Sequence, residues 1–277
     1  MVSSDFILCI IKNDFLALSS SSMKYEIVPF PKMRVLVAEY VRASRKKNNI
    51  ELFIEADLTH LKEVEDSYKA KHVDFSLPSY ILFCFGHLLK NHMNLISMRK
   101  GNRLVKFKEV DVLTIVERES STGEKIPMSI VIRDIGSKSF KDVLLEIRSA
   151  QKNEAEEIVE VKNRRRILNY PYWLMKLIMR YIMRSPIRFH KHYGNAAFTS
   201  PFRSKKARFA MAIPMGPCSI SLLLNSSYKK VVKENGGFVE KTFVGFTFVV
   251  DHDIIDGAAG MRVAEEFCTM VELGYGL

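Results

Sequence analysis

The sequence predicts an α+β fold, a mixed β-sheet flanked by helices. Three observations carry this. Segments with helical period and segments with period two are interleaved without strict strand–helix–strand alternation, unlike a doubly wound parallel sheet. Three β-rich segments follow one another after residue 205, and a helical segment closes the chain. The 277 residues are 47% hydrophobic and 26% charged, which suits a chain with a sizeable core and excludes collagen-like, low-complexity and wholly disordered classes.

Residues 1–22 stand apart. They end in Ser19-Ser20-Ser21-Ser22, and ordered patterning starts only at Met23. They are expected to form a disordered tail, with Met23 as an alternative start. The apolar run Phe6 to Ile11 has no basic residue before it and meets Lys12 and Asp14 at once, unlike a secretory signal. Residues 23–277 are expected to form a single domain.

Over 34–47, Val35, Ala38 and Val41 fall at helical spacing, with cations gathering at the end where the helix dipole favours them. Residues 50–58 alternate Leu52, Ile54, Ala56 and Leu58 with Glu51, Phe53, Glu55 and Asp57, as in a half-buried strand. Thr59 can cap a helix over 60–70. Pro78 opens an apolar helix over 79–91. Residues 104–119 alternate as one strand, 121–124 form a turn, and 126–132 form the next strand. Ser139 to Asn153 is helical. The segments 207–213, 218–225 and 238–250 are β-rich, and 258–273 is the last helix.

Lys and Arg number 42 against 31 Asp and Glu, a net charge of +11. Residues 162–208 alone hold thirteen Lys or Arg and no Asp or Glu. Within them Lys176, Arg180, Arg184 and Arg188 would line one side of a helix whose apolar side is Leu168, Tyr172, Met175, Met179 and Ile182. The choices are a solvated face on a core helix, a rim for an anionic ligand, or contact of 165–190 with a membrane surface. Without zinc-finger or helix-turn-helix spacing, no nucleic-acid partner is expected. No apolar stretch reaches the ~20 uncharged residues of a spanning helix. The four cysteines, 9, 84, 218 and 268, are scattered, which fits a reducing cytoplasm and neither a disulfide framework nor a zinc site. His87, His92, His190 and His192 lack second ligands at metal spacing, so no metal is expected.

The informative segment is Phe248-Val249-Val250-Asp251-His252-Asp253-Ile254-Ile255-Asp256-Gly257-Ala258. A core strand, apolar on both faces, runs into a charged turn, and a small-residue helix leaves it. Titratable groups directly after a buried strand are costly unless paired or used. A histidine of near-neutral pKa suits removal of a proton from a thiol of pKa about 8.5. A lone histidine here would more often be structural; the full HxxxDG pattern shifts that balance.

This pattern resembles the catalytic domain of the 2-oxo acid dehydrogenase acyltransferases (dihydrolipoyl acyltransferases), in the chloramphenicol acetyltransferase-like superfamily. Their DHRxxDGA signature stands here as Asp251 to Ala258, with Asp253 in place of Arg. Residues 31–46, 51–61 and 103–149 are similar to the family's opening helix, next strand and central hairpin with its following helix. The resemblance implies a chloramphenicol acetyltransferase-like sheet and a homotrimer with the active site at the subunit interface. It implies acyl transfer between coenzyme A, as substrate, and a thiol acceptor such as dihydrolipoamide, or a hydroxyl acceptor. His252 would be the general base. A hydroxyl from the Phe198-Thr199-Ser200-Pro201 segment, Thr199 or Ser200, would stabilise the tetrahedral intermediate. Asp256 would fix the loop by pairing with Arg34, and Gly257 would permit the tight turn. Arg203, Lys205, Lys206 and Arg208 would rim the coenzyme A phosphates. No lipoyl or peripheral-subunit-binding domain, no lipoyl group and no tightly bound cofactor is expected, so a lipoyl group would come from a separate protein. The alternative is a catalytically silent homologue acting in assembly or as a scaffold.

Overall fold

The computed structural model describes residues 24–119, 125–152, 166–201 and 209–277. The predicted tail, 1–22, lies outside them. The chain divides into two compact units, 1–31 and 32–277. In the first, residues 24–31 carry no regular secondary structure.

In the second unit the chain runs α1 (Lys32–Ser44), β1 (Asn49–Asp57), α2 (Thr59–Ala70), α3 (Leu77–Asn91), β2 (Met98–Lys100), β3 (Arg103–Val105), β4 (Val112–Glu119) and β5 (Lys125–Ile132). It continues through α4 (Phe140–Lys152), α5 (Tyr172–Met183), α6 (Pro186–Tyr193), β6 (Ala196–Thr199), β7 (Ile220–Glu234), β8 (Gly237–Asp251) and α7 (Gly257–Glu272). Six strands form one sheet in the order β1-β8-β7-β6-β4-β5. β6 pairs in parallel with β7 and β4, and the other pairs are antiparallel, so the sheet is mixed as expected. β2 and β3 form a separate hairpin.

Period-two alternation sorts the core into two layers. Val112, Ile130, Ile132, Phe246, Phe248 and Val250 join the cluster under α3, α4 and α7. Leu113 and Val131 join α1, α5 and α6 in a second cluster. α3 is the central helix: Tyr80, Ile81, Leu82, Cys84, Phe85, Leu88 and Leu89 are fully buried. Ser139 starts α4 with a reciprocal cap, its Oγ accepting from the Asp142 N–H at 3.2 Å while Asp142 accepts from the Ser139 N–H at 3.1 Å.

Several expectations need correction. The 104–119 strand is two strands: residues 106–111 leave the small hairpin for the main sheet, and Val110 turns its carbonyl to the Ile135 N–H at 2.9 Å. Residues 209–213 form no strand. Their backbone is held instead by side chains of β7, the Ala210 N–H by Ser226 Oγ at 2.7 Å and the Ala212 N–H by Asn225 Oδ1 at 3.2 Å. The basic helix is broken, because Ser185-Pro186 ends α5 and opens α6. Arg188 therefore leaves the line of Lys176 and Arg180 and stacks on Tyr181, 3.7 Å from its ring centroid. At α2 Thr59 is the first helical residue and not the cap; its N–H donates to Asp57 Oδ1, two residues back, at 2.8 Å. The β7–β8 turn, Asn235-Gly236, has positive φ at both residues (50° and 84°), the geometry that Asn-Gly favours in two-residue hairpins.

Candidate active site

β8 delivers a fixed backbone to the HxxxDG turn. Phe246, Phe248, Val249, Val250 and Asp251 are all buried within the one chain, so the two-sided apolar strand needs no further subunit to cover it. Asp251 is pinned from four directions. Lys47 Nζ donates to its Oδ2 at 2.6 Å, and its N–H donates to the Ser219 carbonyl at 2.8 Å. Its Oδ1 accepts from the Asp253 N–H at 3.2 Å, and its carbonyl accepts from the Ile254 N–H at 2.9 Å. The His252 N–H donates to the Asn48 carbonyl at 2.7 Å. The backbone is thus held while the imidazole stays exposed, with no hydrogen bond among the described residues.

Asp253 accepts from Arg99 Nη1 at 2.8 Å and from Asn48 Nδ2 at 3.2 Å, and these two donors hold its carboxyl below the usual range. Asp256 begins α7, its carbonyl accepting from the Gly260 N–H at 2.9 Å, while its side chain is exposed and makes no capping bond. Gly257 does not adopt the left-handed backbone expected of a tight turn; it is the first helical residue, and an added Cβ would make ordinary contact with Ile50 at 3.8 Å. The tighter glycine is Gly260, where a Cβ would lie 3.3 Å from Leu52.

Beside this turn opens a cleft of ≈ 930 Å³. Arg42, Lys46, Lys47, Arg99, Arg180 and Arg184 line it against only Glu39, Asp251 and Asp253. Buried Glu39 is bound by Arg42 and, at 3.3 Å, by Arg180. Lys46 and Arg184 have no carboxylate partner among the described residues. Such a surplus of cations around a concavity favours polyanionic ligands.

Thr199 ends β6 and lines a different cavity, an apolar groove of ≈ 340 Å³ with Leu36, Val37, Tyr40, Ile115 and Met215 among its walls. Ser200 is half-buried and does not line it. The sheet register separates Thr199 from His252. Thr199 pairs with Leu223, and Leu223 with Thr247, five residues before His252 and two strands away. At ~3.3 Å per residue and ~4.8 Å per strand the two lie roughly 19 Å apart, too far for both side chains to reach one carbonyl. Arg34 and Asp256 are likewise not joined in one chain: both are exposed, and the expected ion pair is absent among the described residues. Arg34 follows Met33, which lines the Thr199 groove, whereas Asp256 lies just beyond the His252 turn.

No protein-family model and no curated protein matches the chain. Solved structures do. The cubic core of a pyruvate dehydrogenase multienzyme complex matches with a TM-score of 0.65 at 18% identity, over 91% of this chain and 93% of that one. A probable dihydrolipoamide acetyltransferase from Listeria monocytogenes gives 0.64 at 17%, over 91% and 96%. The dihydrolipoamide acetyltransferase of Azotobacter vinelandii, solved to examine a serine, a histidine and an asparagine in its catalytic mechanism, gives 0.64 at 18%, over 91% and 93%. The chain has the acyltransferase-core fold.

On this acyltransferase-core fold the expected residues divide into two groups. His252, Asp256 and Gly257 stand at the turn that ends β8, whereas Thr199, followed by Ser200, and Met33, followed by Arg34, belong with the apolar groove of α1 and β6. Arg203, Lys205, Lys206 and Arg208 lie outside the described residues. Sequence reasoning missed Lys47, Asn48 and Arg99, the side chains that hold the turn. Lys47 and Asn48 directly precede β1, so pairing 50–58 with 238–250 would have found them; Arg99 carries no local signal. No group of three or more His, Cys, Asp or Glu among the described residues is arranged to hold a metal ion.

Proposed function

We propose that the protein is an acyltransferase that moves an acyl group between coenzyme A and a thiol acceptor such as dihydrolipoamide, in a site completed by two subunits of a trimer. The observation that carries this reading is His252. Its backbone is fixed, its imidazole is free, and a cleft of six cations opens beside it. The Azotobacter enzyme's histidine and asparagine are four residues apart, the spacing of His252 and Asp256.

The chemistry follows from the side chains. Burial pushes the thiols of Cys84, Cys218 and Cys268 up to about 12, so none of the three is a nucleophile at neutral pH and the attacking thiol arrives with a substrate. His252 takes the proton of that thiol, and the thiolate attacks the thioester carbonyl. Thr199, which lines the groove where Ser200 does not, donates to the oxyanion. Collapse expels the second thiolate, which takes the proton back from His252. The charged cleft suits the phosphates of coenzyme A, with Arg203, Lys205, Lys206 and Arg208 as a further rim. A reducing cytoplasm suits the three unpaired cysteines.

A subunit boundary that brings Thr199 of one chain to His252 of the next would also have to bring Arg34 of one chain to Asp256 of the next for the expected pair to form, since neither pair is joined within one chain. The test is transfer from acetyl-, propionyl- and branched-acyl-coenzyme A to dihydrolipoamide by the assembled protein. Transfer that disappears with His252→Ala is expected. No transfer from any of these donors would overturn the reading in favour of an assembly or scaffold protein, which the division of roughly 19 Å within one chain would then explain.

A further inference from the structure

We infer that the outer face of α5 rests on an anionic membrane surface. A helix on the surface of a globular protein needs one apolar side, and α5 has two. Met175, Met179 and Ile182 are buried in the second core cluster. On the opposite side Trp173 is 67% exposed, Leu177 57% and Tyr181 60%, one turn apart along the helix, and Ile187 of α6 continues the patch at 60%. Among the described residues nothing covers this second apolar stripe, and the proposed acyl-transfer chemistry does not need it.

The charge around the stripe selects the occupant. Lys176 and Arg166 are exposed, with no carboxylate partner among the described residues. Arg188 lies over the Tyr181 ring, its Nε donating to the Tyr181 carbonyl at 2.9 Å, so it too meets no acid. In sequence, Lys162, Arg164 and Arg165 stand just before, and no Asp or Glu occurs anywhere over 162–208. A tryptophan, a tyrosine and aliphatic residues ringed by cations suit the boundary between acyl chains and negative headgroups. A second copy seating the same face on this one would set Arg166, Lys176 and Arg188 against their own counterparts. No helix among the described residues is long and apolar enough to cross a membrane, so contact would be lateral, with α5 lying in the plane of the headgroups.

Trp173 is the single tryptophan of the chain and therefore reports on this face alone. The full-length protein is titrated with vesicles of phosphatidylglycerol and phosphatidylcholine at about 3:7, and with phosphatidylcholine alone, while Trp173 emission and co-sedimentation are followed. A blue shift with the anionic vesicles, weak with the neutral ones and reversed by about 0.5 M salt, is expected. Arg166→Glu with Lys176→Glu should weaken vesicle binding about tenfold or more at an unchanged melting temperature, since both side chains are exposed. Leu177→Ser should lessen the blue shift. Three results would each overturn the inference: no shift with anionic vesicles at low salt, an equal shift with neutral ones, or a shift that follows protein concentration without lipid and so assigns the face to a second copy. The acyl-transfer assay is independent of all three.

Discussion

The separation of roughly 19 Å between Thr199 and His252 makes a mixing experiment decisive. In the proposed reaction His252→Ala removes the base, which typically costs ~10²–10⁴-fold, and Thr199→Ala removes an oxyanion donor, which costs ~10²–10³-fold. Each variant alone should therefore retain about 1% of wild-type activity or less. The two are then mixed in equal amounts under conditions of subunit exchange. A site is complete when its histidine comes from a Thr199→Ala chain and its threonine from a His252→Ala chain. In a closed ring with random exchange about one site in four meets both conditions, whatever the number of subunits. The mixture should recover about a quarter of wild-type transfer, some 25-fold or more above either parent. Light scattering should give three times the chain mass for each preparation. A mixture whose activity equals the average of its parents after demonstrated exchange would refute the divided site, and a fully active monomer would do so more directly.

Three further outcomes are expected. Burial pushes the Asp111 carboxyl up, but His190, the Asp134 N–H and Arg133 outweigh it and hold the group at about 2 against an ordinary 3.8. Its contribution, about 2 kcal/mol, is present in full above the unfolded-state value and lost as pH falls from about 4 to about 2, so thermal melts of Asp111→Asn should lack that part of the wild-type acid limb; an identical limb would remove Asp111 from the account. Arg99→Ala should lower kcat about tenfold with little change in melting temperature, because the Arg99–Asp253 pair is partly exposed but orients the His252 turn, and the exchanged variant Arg99→Asp with Asp253→Arg should restore part of it; a loss of stability without loss of kcat would contradict this. Lys46→Glu with Arg184→Glu should raise KM for coenzyme A about tenfold while leaving KM for dihydrolipoamide unchanged, and equal effects on both would place the phosphates elsewhere.

What the sequence disclosed depended on how local the cause was. β1 was evident because alternation along one strand already states which face is buried, β8 because its β-rich run ends in a strand apolar on both faces, and α3 because its run is apolar almost throughout and Pro78 marks its start. The HxxxDG turn was evident because a charged run directly after Val250 needs an explanation. Causes that join distant segments were hidden. Residues 106–111 keep an alternating pattern, yet the chain there is changing sheets, and only the Asp111 carboxylate marks the change. Pro186 was visible in the sequence and outweighed the fourfold cation spacing that suggested one continuous helix. Asp253 looked anomalous without its partner. Arg99, 154 residues away, arrives through the β2–β3 hairpin and supplies the positive charge that Asp253 does not. That Thr199 and not Ser200 lines the groove was hidden, because the groove exists only when α1 is laid against β6.

The pairing of β1 with β8 has a consequence for the order in which the protein is built. Asn49 pairs with Asp251, so the ladder beside His252 joins the two ends of nearly the whole body. Contacts of such sequence separation carry a large loop-closure cost until the intervening chain has folded. The β7–β8 hairpin, by contrast, closes through two residues and can form early. The turn that holds His252 requires the Asn48 carbonyl, and thus it is among the last features to gain its shape. During refolding the His252 amide should acquire protection from hydrogen exchange after those of the central β7–β8 ladder, and protection gained at the same time would contradict this order. A nascent or damaged chain would then expose no shaped histidine, so competence to react with thioesters would itself certify that the fold is closed.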